Sequence, residues 1–165
     1  MTSFEEGCID RVQAILEQLG LASIERKSSH QLRVTIQAAP GVRYRVFFRG
    51  VSTRVEIEAV VFKSVAGLDR SVNVFLETLL QYNGTVRPFG FATVSAATGR
   101  QLVLRYSPLC QSLSARELKS LIECLNETFI NHVPHLHELA IEADLNFTGH
   151  SEIDFISIIR GIIND

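Results

Sequence analysis

A chain of 165 residues is long enough for one domain with its own core, because such a domain buries roughly two-thirds of its unfolded surface. Hydrophobic residues make up 46% of the sequence and charged residues 21%, with a net charge of −2, which excludes a disordered chain and a strongly basic nucleic-acid binder. The longest uncharged run, Pro88 to Gly99, is shorter than the roughly 20 apolar residues of a membrane-spanning helix. Because the acidic N-terminus also lacks the features of an export signal, we expect a cytoplasmic protein.

The N-terminal segment predicts an amphipathic helix. Ser3 and Glu6 have the spacing of a capping box, in which two side chains satisfy the first free backbone N–H groups. Apolar residues then recur at helical spacing until Gly20, which supplies a C-terminal stop.

Three strands are predicted after this helix. Their residues alternate between apolar and polar types or are rich in β-branched and aromatic side chains. We place turns at Pro40–Gly41 and at Arg49–Gly50, where glycine makes a reversal easy. The predicted strands cover residues 32–38, 43–48 and 51–62.

A second helix and a hairpin follow in the middle of the chain. Apolar residues return to helical spacing over residues 68–84, with Asp69 as the N-cap and Gly84 as the stop. Residues 89–96 and 101–106 flank a turn that contains glycine, which is typical of a β-hairpin.

The last part of the chain predicts a long helix and an apolar extension. Ser114 and Glu117 repeat the capping box, and apolar residues continue at helical spacing to Val133. Pro134 is expected to kink or end this helix, because proline has no backbone N–H and its ring clashes with the preceding turn.

The order of these elements predicts an α+β domain in which helices cover a mainly antiparallel sheet. The order is helix, three strands, helix, two strands and helix, followed by a C-terminal helix. We assign residues 1–145 to a single domain and residues 146–165 to an apolar helical extension that packs on the domain or on a partner.

Three stretches of the chain resemble the type III secretion chaperone-like proteins, including the related bacterial sensory-transduction-regulator type. They read LETLLQYNG, FGFATVSAATGRQLVLRYSPL and LSARELKSLIECLNETFINHVPHLHEL, and the resemblance covers residues 6–139. It implies a secretion chaperone-like fold and a non-catalytic bacterial protein that binds another protein. It also implies a homodimer, because secretion chaperones commonly pair two protomers.

Basic residues are concentrated in the predicted sheet. Residues 26–105 carry twelve of the 16 basic residues but only four of the 18 acidic ones. Guanidinium groups suit forked contacts with carboxylates or phosphates, so an arginine-rich sheet face is a candidate partner-binding surface. Its residues are Arg43, Arg45, Phe47, Arg49 and Arg54.

Three interpretations of this arginine-rich face remain open. Its arginines pair with Glu56, Glu58 or the acidic helices on a solvated surface, or they bind a protein. The third interpretation is a nucleic-acid-associated protein, because arginines interleaved with an aromatic ring can track phosphates and stack on bases.

No catalytic, cofactor or metal site is predicted. Phosphate-loop, dinucleotide-binding and hydrolase-elbow motifs are absent from the sequence. His132, His135 and His137 lie near Glu138, but Pro134 interrupts their helical spacing, so we interpret them as a solvated cluster. The three cysteines, Cys8, Cys110 and Cys124, are odd in number and lack metal-binding spacing, so we expect reduced thiols.

The C-terminal extension is apolar nearly all round. It has more apolar surface than one face of a small helix needs, so it is expected to be buried in the core, in a dimer or in a partner. One hypothesis is that it occupies the groove that related chaperones use for a client. Its candidate docking residues are Phe155, Ile158, Ile159 and Ile162.

Overall fold

The computed structural model describes residues 3–66, 73–97, 99–143 and 145–150. The helices of this part of the chain are α1 (Phe4–Gln18), α2 (Asn73–Thr85), α3 (Ala115–Asn131) and α4 (Val133–Glu142), with a 3-10 turn at Cys110–Ser112. The strands are β1 (Ile24–Ser28), β2 (Gln31–Ala39), β3 (Val42–Val51), β4 (Arg54–Ala66), β5 (Gly90–Ala96), β6 (Gly99–Tyr106) and β7 (Asn146–His150).

The strands form one antiparallel sheet, which confirms the predicted α+β class. Its order is β1-β2-β3-β4-β6-β5, and β7 pairs with β4. Among the helices that the structure describes, none is long and apolar enough to cross a membrane.

Two predictions about the first strands are wrong. The structure has an additional strand, β1, whose residues IERKS show no apolar alternation because the strand lies at an edge of the sheet. The turn predicted at Arg49–Gly50 lies three residues later, at Ser52–Thr53, where Ser52 adopts a positive φ of 54°. Arg49 and Gly50 both remain within β3, paired with Glu56 and Val55.

The helices pack on one face of the sheet, which we call the inner face; the opposite one is the outer face. Alternate residues of β3 point inward, and Tyr44 stacks on Phe129 of α3 with ring centroids 4.0 Å apart. The Tyr44 hydroxyl donates a hydrogen bond to Asn126 Oδ1 at 2.7 Å. Burial raises the pKa of Tyr44 above its usual value, so this phenol stays protonated and keeps the bond.

The predicted capping box at the start of α3 is confirmed. The Ser114 hydroxyl accepts a hydrogen bond from the Glu117 backbone N–H, and the Glu117 carboxylate accepts one from the Ser114 N–H at 2.8 Å. The helix ends at Asn131, and α4 begins next to Pro134, as the proline predicts.

Removing this cap is expected to destabilise the fold. Ser114→Ala should lower the free energy of unfolding by about 1 kcal/mol, the usual cost of losing a serine N-cap. Chemical denaturation measures the loss. Ser120→Ala is the matched control on the exposed face of α3 and should cause no loss, because alanine favours a helix interior. Equal losses in the two variants would contradict the capping role.

Part of the predicted C-terminal extension is a strand. Residues 146–150, assigned to the helical extension, form β7 against the far end of β4. The remaining residues of the extension, 151–165, lie outside the described residues, and so do the candidate docking residues Phe155, Ile158, Ile159 and Ile162.

The prediction of reduced thiols is wrong for two of the three cysteines. The structure joins Cys8 of α1 to Cys110 in a disulfide, with Cα atoms 5.9 Å apart across 102 residues of chain. Only the packing of α1 beside the 3-10 turn brings them together, so sequence spacing gave no sign of the pair. Cys124 is free and half-buried, and burial raises the pKa of its thiol.

Candidate interaction surfaces

The predicted partner-binding residues all lie on the outer face of the sheet. Arg43, Arg45, Phe47 and Arg49 alternate along β3 with buried inner-face residues. Arg54 precedes the buried Val55 on β4 and stands opposite Val51 at the end of the strand pair. We call Arg43, Arg45, Phe47, Arg49 and Arg54 the arginine face.

One end of the arginine face is neutralised by neighbouring acids. Arg49 lies 3.4 Å from a Glu56 carboxylate oxygen. Arg105 of β6, which the sequence analysis missed, pairs with Glu56 and, at 2.8 Å, with Glu58. Arg54 donates a hydrogen bond to the Ser107 carbonyl oxygen at 2.6 Å. These contacts support the prediction that Glu56 and Glu58 serve as partners for arginines.

At the other end of the arginine face, Arg45 keeps its positive charge. Arg43 is exposed, and Arg45 is half-buried. Within the part of the chain that the structure describes, Arg45 makes no hydrogen bond or ion pair through its side chain. Phe47 stands between Arg33 of β2 and Glu58 of β4 in the register of the sheet. The Arg45 guanidinium is therefore available to a carboxylate of another segment, and the Phe47 ring lies beside it on the same face.

An apolar groove at the other edge of the sheet is a second candidate surface. It lies between α2 and β5 and has a volume of about 320 Å³. Leu80 on its rim is 71% exposed and Leu76 is 40% exposed, although most large apolar side chains of the fold are buried. We call it the α2–β5 groove, lined by Leu76, Leu79, Leu80, Asn83, Phe91, Ala92, Thr93 and Leu102.

β5 is the last strand at one end of the sheet, so its edge that faces away from β6 is open. β5 pairs with β6, and no other strand of the described chain borders it. The Phe91 backbone N–H donates to Asn83 Oδ1 at 2.7 Å, so it points away from β6. Because alternate residues of a strand point their backbone groups to the same edge, those of Thr93 and Ser95 face outward too. The Asn83 side chain therefore covers this edge only at Phe91.

The histidine cluster joins two helices. The Tyr82 hydroxyl of α2 lies 2.6 Å from His135 Nδ1, and the Tyr82 ring packs against His132 with centroids 4.4 Å apart. In the described ranges, no group of three or more His, Cys, Asp or Glu residues is arranged to hold a metal ion. The two histidines therefore contribute to the packing of α2 against α4.

This contact is expected to weaken in acid. Burial, and secondarily the charge of His135, lowers the pKa of His132 below its usual 6.5. The folded state therefore binds fewer protons than the unfolded state between the lowered pKa and 6.5, so stability falls as pH decreases through that window. His132→Gln should reduce the fall in Tm between neutral and mildly acidic buffer. His30→Gln, at an exposed histidine, should retain the wild-type fall; identical profiles for both variants and wild type would contradict this role.

A second cleft lies beside the start of α3. It has a volume of about 320 Å³, and its walls include Tyr106, Arg116 and Glu117. The Glu117 carboxylate there already accepts hydrogen bonds from the Ser114 N–H and hydroxyl, so its role is to cap the helix.

Comparison with known proteins supports the fold. No protein-family model matches the chain, and no curated protein matches it. The chain is similar to the crystal structure of YbjN, a candidate transcription regulator from E. coli, with a TM-score of 0.52 and 14% sequence identity. The match covers 85% of this chain and 94% of YbjN. The protein therefore has an α+β fold of the YbjN type.

Proposed function

We propose that this chain is a cytoplasmic, non-catalytic protein-binding module. The resemblance to secretion chaperone-like proteins implies that it binds another protein and acts as a homodimer. The observation that carries the proposal is the α2–β5 groove, whose exposed leucines lie beside an open sheet edge. Exposed apolar surface of this kind is typical of protein contacts. The similarity in fold to YbjN, a candidate transcription regulator, is consistent with a regulatory role.

The charge pattern of the groove favours a second copy of the same chain as its occupant. In a two-fold symmetric contact, the same surface meets itself, so a charged stripe would face its own like charge. β5 contains no charged residue, and α2 contains only Glu77. Two β5 strands can also pair edge to edge, which would satisfy the outward backbone groups of Thr93 and Ser95.

Substitution of one rim leucine tests the dimer. We expect the wild-type chain to sediment as a dimer, and Leu80→Asp to raise the dimer dissociation constant by on the order of 100-fold, because two carboxylates would be buried. Ile141→Asp on α4 is the matched control, since Ile141 is 60% exposed and lies outside the groove. A monomeric wild type, or equal effects of both variants, would overturn the proposed dimer.

We further propose that the arginine face binds an acidic segment of a partner protein through Arg45. The tagged chain would be recovered from its native host at moderate salt, with and without nuclease. A stoichiometric protein should persist after nuclease treatment and be lost from an Arg45→Glu variant. Arg87→Glu makes the same change at an exposed arginine elsewhere and should retain the partner. A partner retained equally by all variants would contradict the assignment of this face.

The contacts of the arginine face do not favour the alternative of nucleic-acid binding. Arg49 and Arg105 share the carboxylate of Glu56, and Arg54 binds a backbone carbonyl oxygen. A phosphate backbone would have to compete with these contacts. Nuclease-sensitive recovery of nucleic acid, with an affinity that falls steeply with salt, would instead support the alternative.

A further inference from the structure

A small apolar patch lies on the outer face of the sheet, next to the arginine face. Val60 of β4 pairs with Val103 of β6, which pairs in turn with Ala92 of β5. Val103 lies between Leu102 and Leu104, both of which belong to the core on the inner face, so alternation places Val103 outward. We call Val60, Ala92 and Val103 the outer valine patch.

The two valines of this patch are buried, although the helices lie on the opposite face. Val103 is 0% exposed and Val60 is 8% exposed, yet neither belongs to the core cluster. By contrast, Arg105, the next outer-face residue of β6 after Val103, has an ion-paired side chain that is 40% exposed. A valine on an uncovered sheet face would keep part of its surface in water, so another segment must cover the patch.

The path of β7 brings the end of the described chain to this place. His150 pairs with Phe62, and Phe62 also pairs with Leu102 of β6. A strand has one neighbour at each edge, so β7 lies along the edge of β4 that faces β3. β3 occupies this same edge of β4 from Arg54 to Ala59. β7 therefore ends, at His150, close to Val60 of β4.

The remaining residues, 151–165, have the chemistry to cover the patch. Two of their first four residues, Glu152 and Asp154, are acidic, and an apolar run that contains Phe155 and several isoleucines follows. Extending the register of β3 and β4 by one pair places Arg45 beside Val60. The acidic start of the segment thus matches the basic end of the arginine face, and the apolar run matches the valines.

We propose that residues 151–165 of the same chain bind the outer valine patch, with Glu152 and Asp154 directed toward Arg45. The C-terminal segment is then an intramolecular occupant beside the proposed partner-binding face. A consequence, which rests on the proposed function, is that an acidic partner binding at Arg45 competes with this segment.

Photo-crosslinking in the full-length chain tests the contact directly. Arg45 is replaced by the photoreactive residue benzoylphenylalanine, and the crosslinked peptides are mapped by mass spectrometry. We expect most crosslinks to reach residues 151–165 within one chain, at the mass of a single protomer. The same probe at Glu123, exposed on α3, should give no crosslink to that segment. Absence of the crosslink at Arg45, or its formation only between two chains, would overturn the proposal.

Two further variants separate this contact from the proposed dimer and from overall folding. The crosslink from position 45 should persist in the Leu80→Asp variant. The proposed intramolecular contact and the proposed dimer are therefore tested independently of each other. A chain ending at His150 should bind several-fold more of an apolar fluorescent dye than the full chain does, because Val60 and Val103 become exposed. Unchanged dye binding by a folded truncation would show that another segment covers the patch, which overturns the proposal.

Discussion

Replacing Phe129 with alanine is expected to lower the free energy of unfolding by about 3–5 kcal/mol, the usual cost of truncating a buried phenylalanine. Phe129 is 0% exposed and stacks on Tyr44 with an interplanar angle of 6°. It therefore links α3 to the centre of the inner face of the sheet. The substitution removes both the buried apolar area and the ring contact, and the helix backbone prevents the site from closing over the cavity.

The measurement is chemical denaturation, supported by a fall in Tm on the order of 10 °C for a domain of this size. Ile130→Ala is the matched control, because Ile130 is the next residue of α3 and is 38% exposed. Its loss should be clearly smaller than that of Phe129→Ala, since 38% of Ile130 stays exposed to water in the folded state. Similar losses in the two variants would mean that α3 does not face the sheet through Phe129.

Helices α1 and α3 were predictable because their signals are local. Their starts are marked by Ser3 and Ser114, each of which caps the backbone N–H group three residues later, and their apolar spacing defines the buried face. β1 was not predictable, because an edge strand with the sequence IERKS depends on pairing with β2 rather than on an apolar pattern of its own.

In the candidate surfaces too, the sequence indicated contacts between neighbouring segments of the chain but not contacts between segments that are far apart in it. The pairing of Arg49 with Glu56 follows from two adjacent strands joined by a short turn, so the sequence indicated it. Arg105 joins that network only because β6 lies beside β4, with the whole of α2 between them in the chain. The α2–β5 groove likewise depends on how far the helix covers the sheet, which residue spacing does not specify.

Replacing Gly50 with alanine is expected to lower the free energy of unfolding by about 1–3 kcal/mol, the cost typical of adding volume to a well-packed site. An added Cβ atom at Gly50 would lie 2.7 Å from the Glu5 carbonyl oxygen and 3.2 Å from the Glu5 Cα. These are backbone atoms of α1, so no side-chain rotation relieves the overlap. The helix would have to move away from β3.

That movement would also disturb the hydrogen bonds around the contact. The Ser52 N–H donates to the Glu5 carboxylate at 2.9 Å, and the Gly50 N–H donates to the His30 carbonyl oxygen at 2.9 Å. The bond from Ser52 depends on the close approach of α1 to the turn between β3 and β4, and the bond from Gly50 lies directly beside the added Cβ atom. Hydrogen exchange should therefore become faster at Ser52 in the Gly50→Ala variant, in addition to the fall in stability measured by denaturation.

Gly7→Ala is the matched control and should have the opposite sign. A Cβ atom at Gly7 would meet nothing within 4 Å, and the residue lies inside α1. Alanine there should raise the free energy of unfolding by about 0.5–1 kcal/mol, because glycine loses more backbone entropy in a helix. The two substitutions separate the backbone-entropy effect of alanine from the effect of the close contact. Opposite changes in the free energy of unfolding are expected if Glu5 packs closely over Gly50. Stabilisation by Gly50→Ala would instead mean that α1 does not rest on β3.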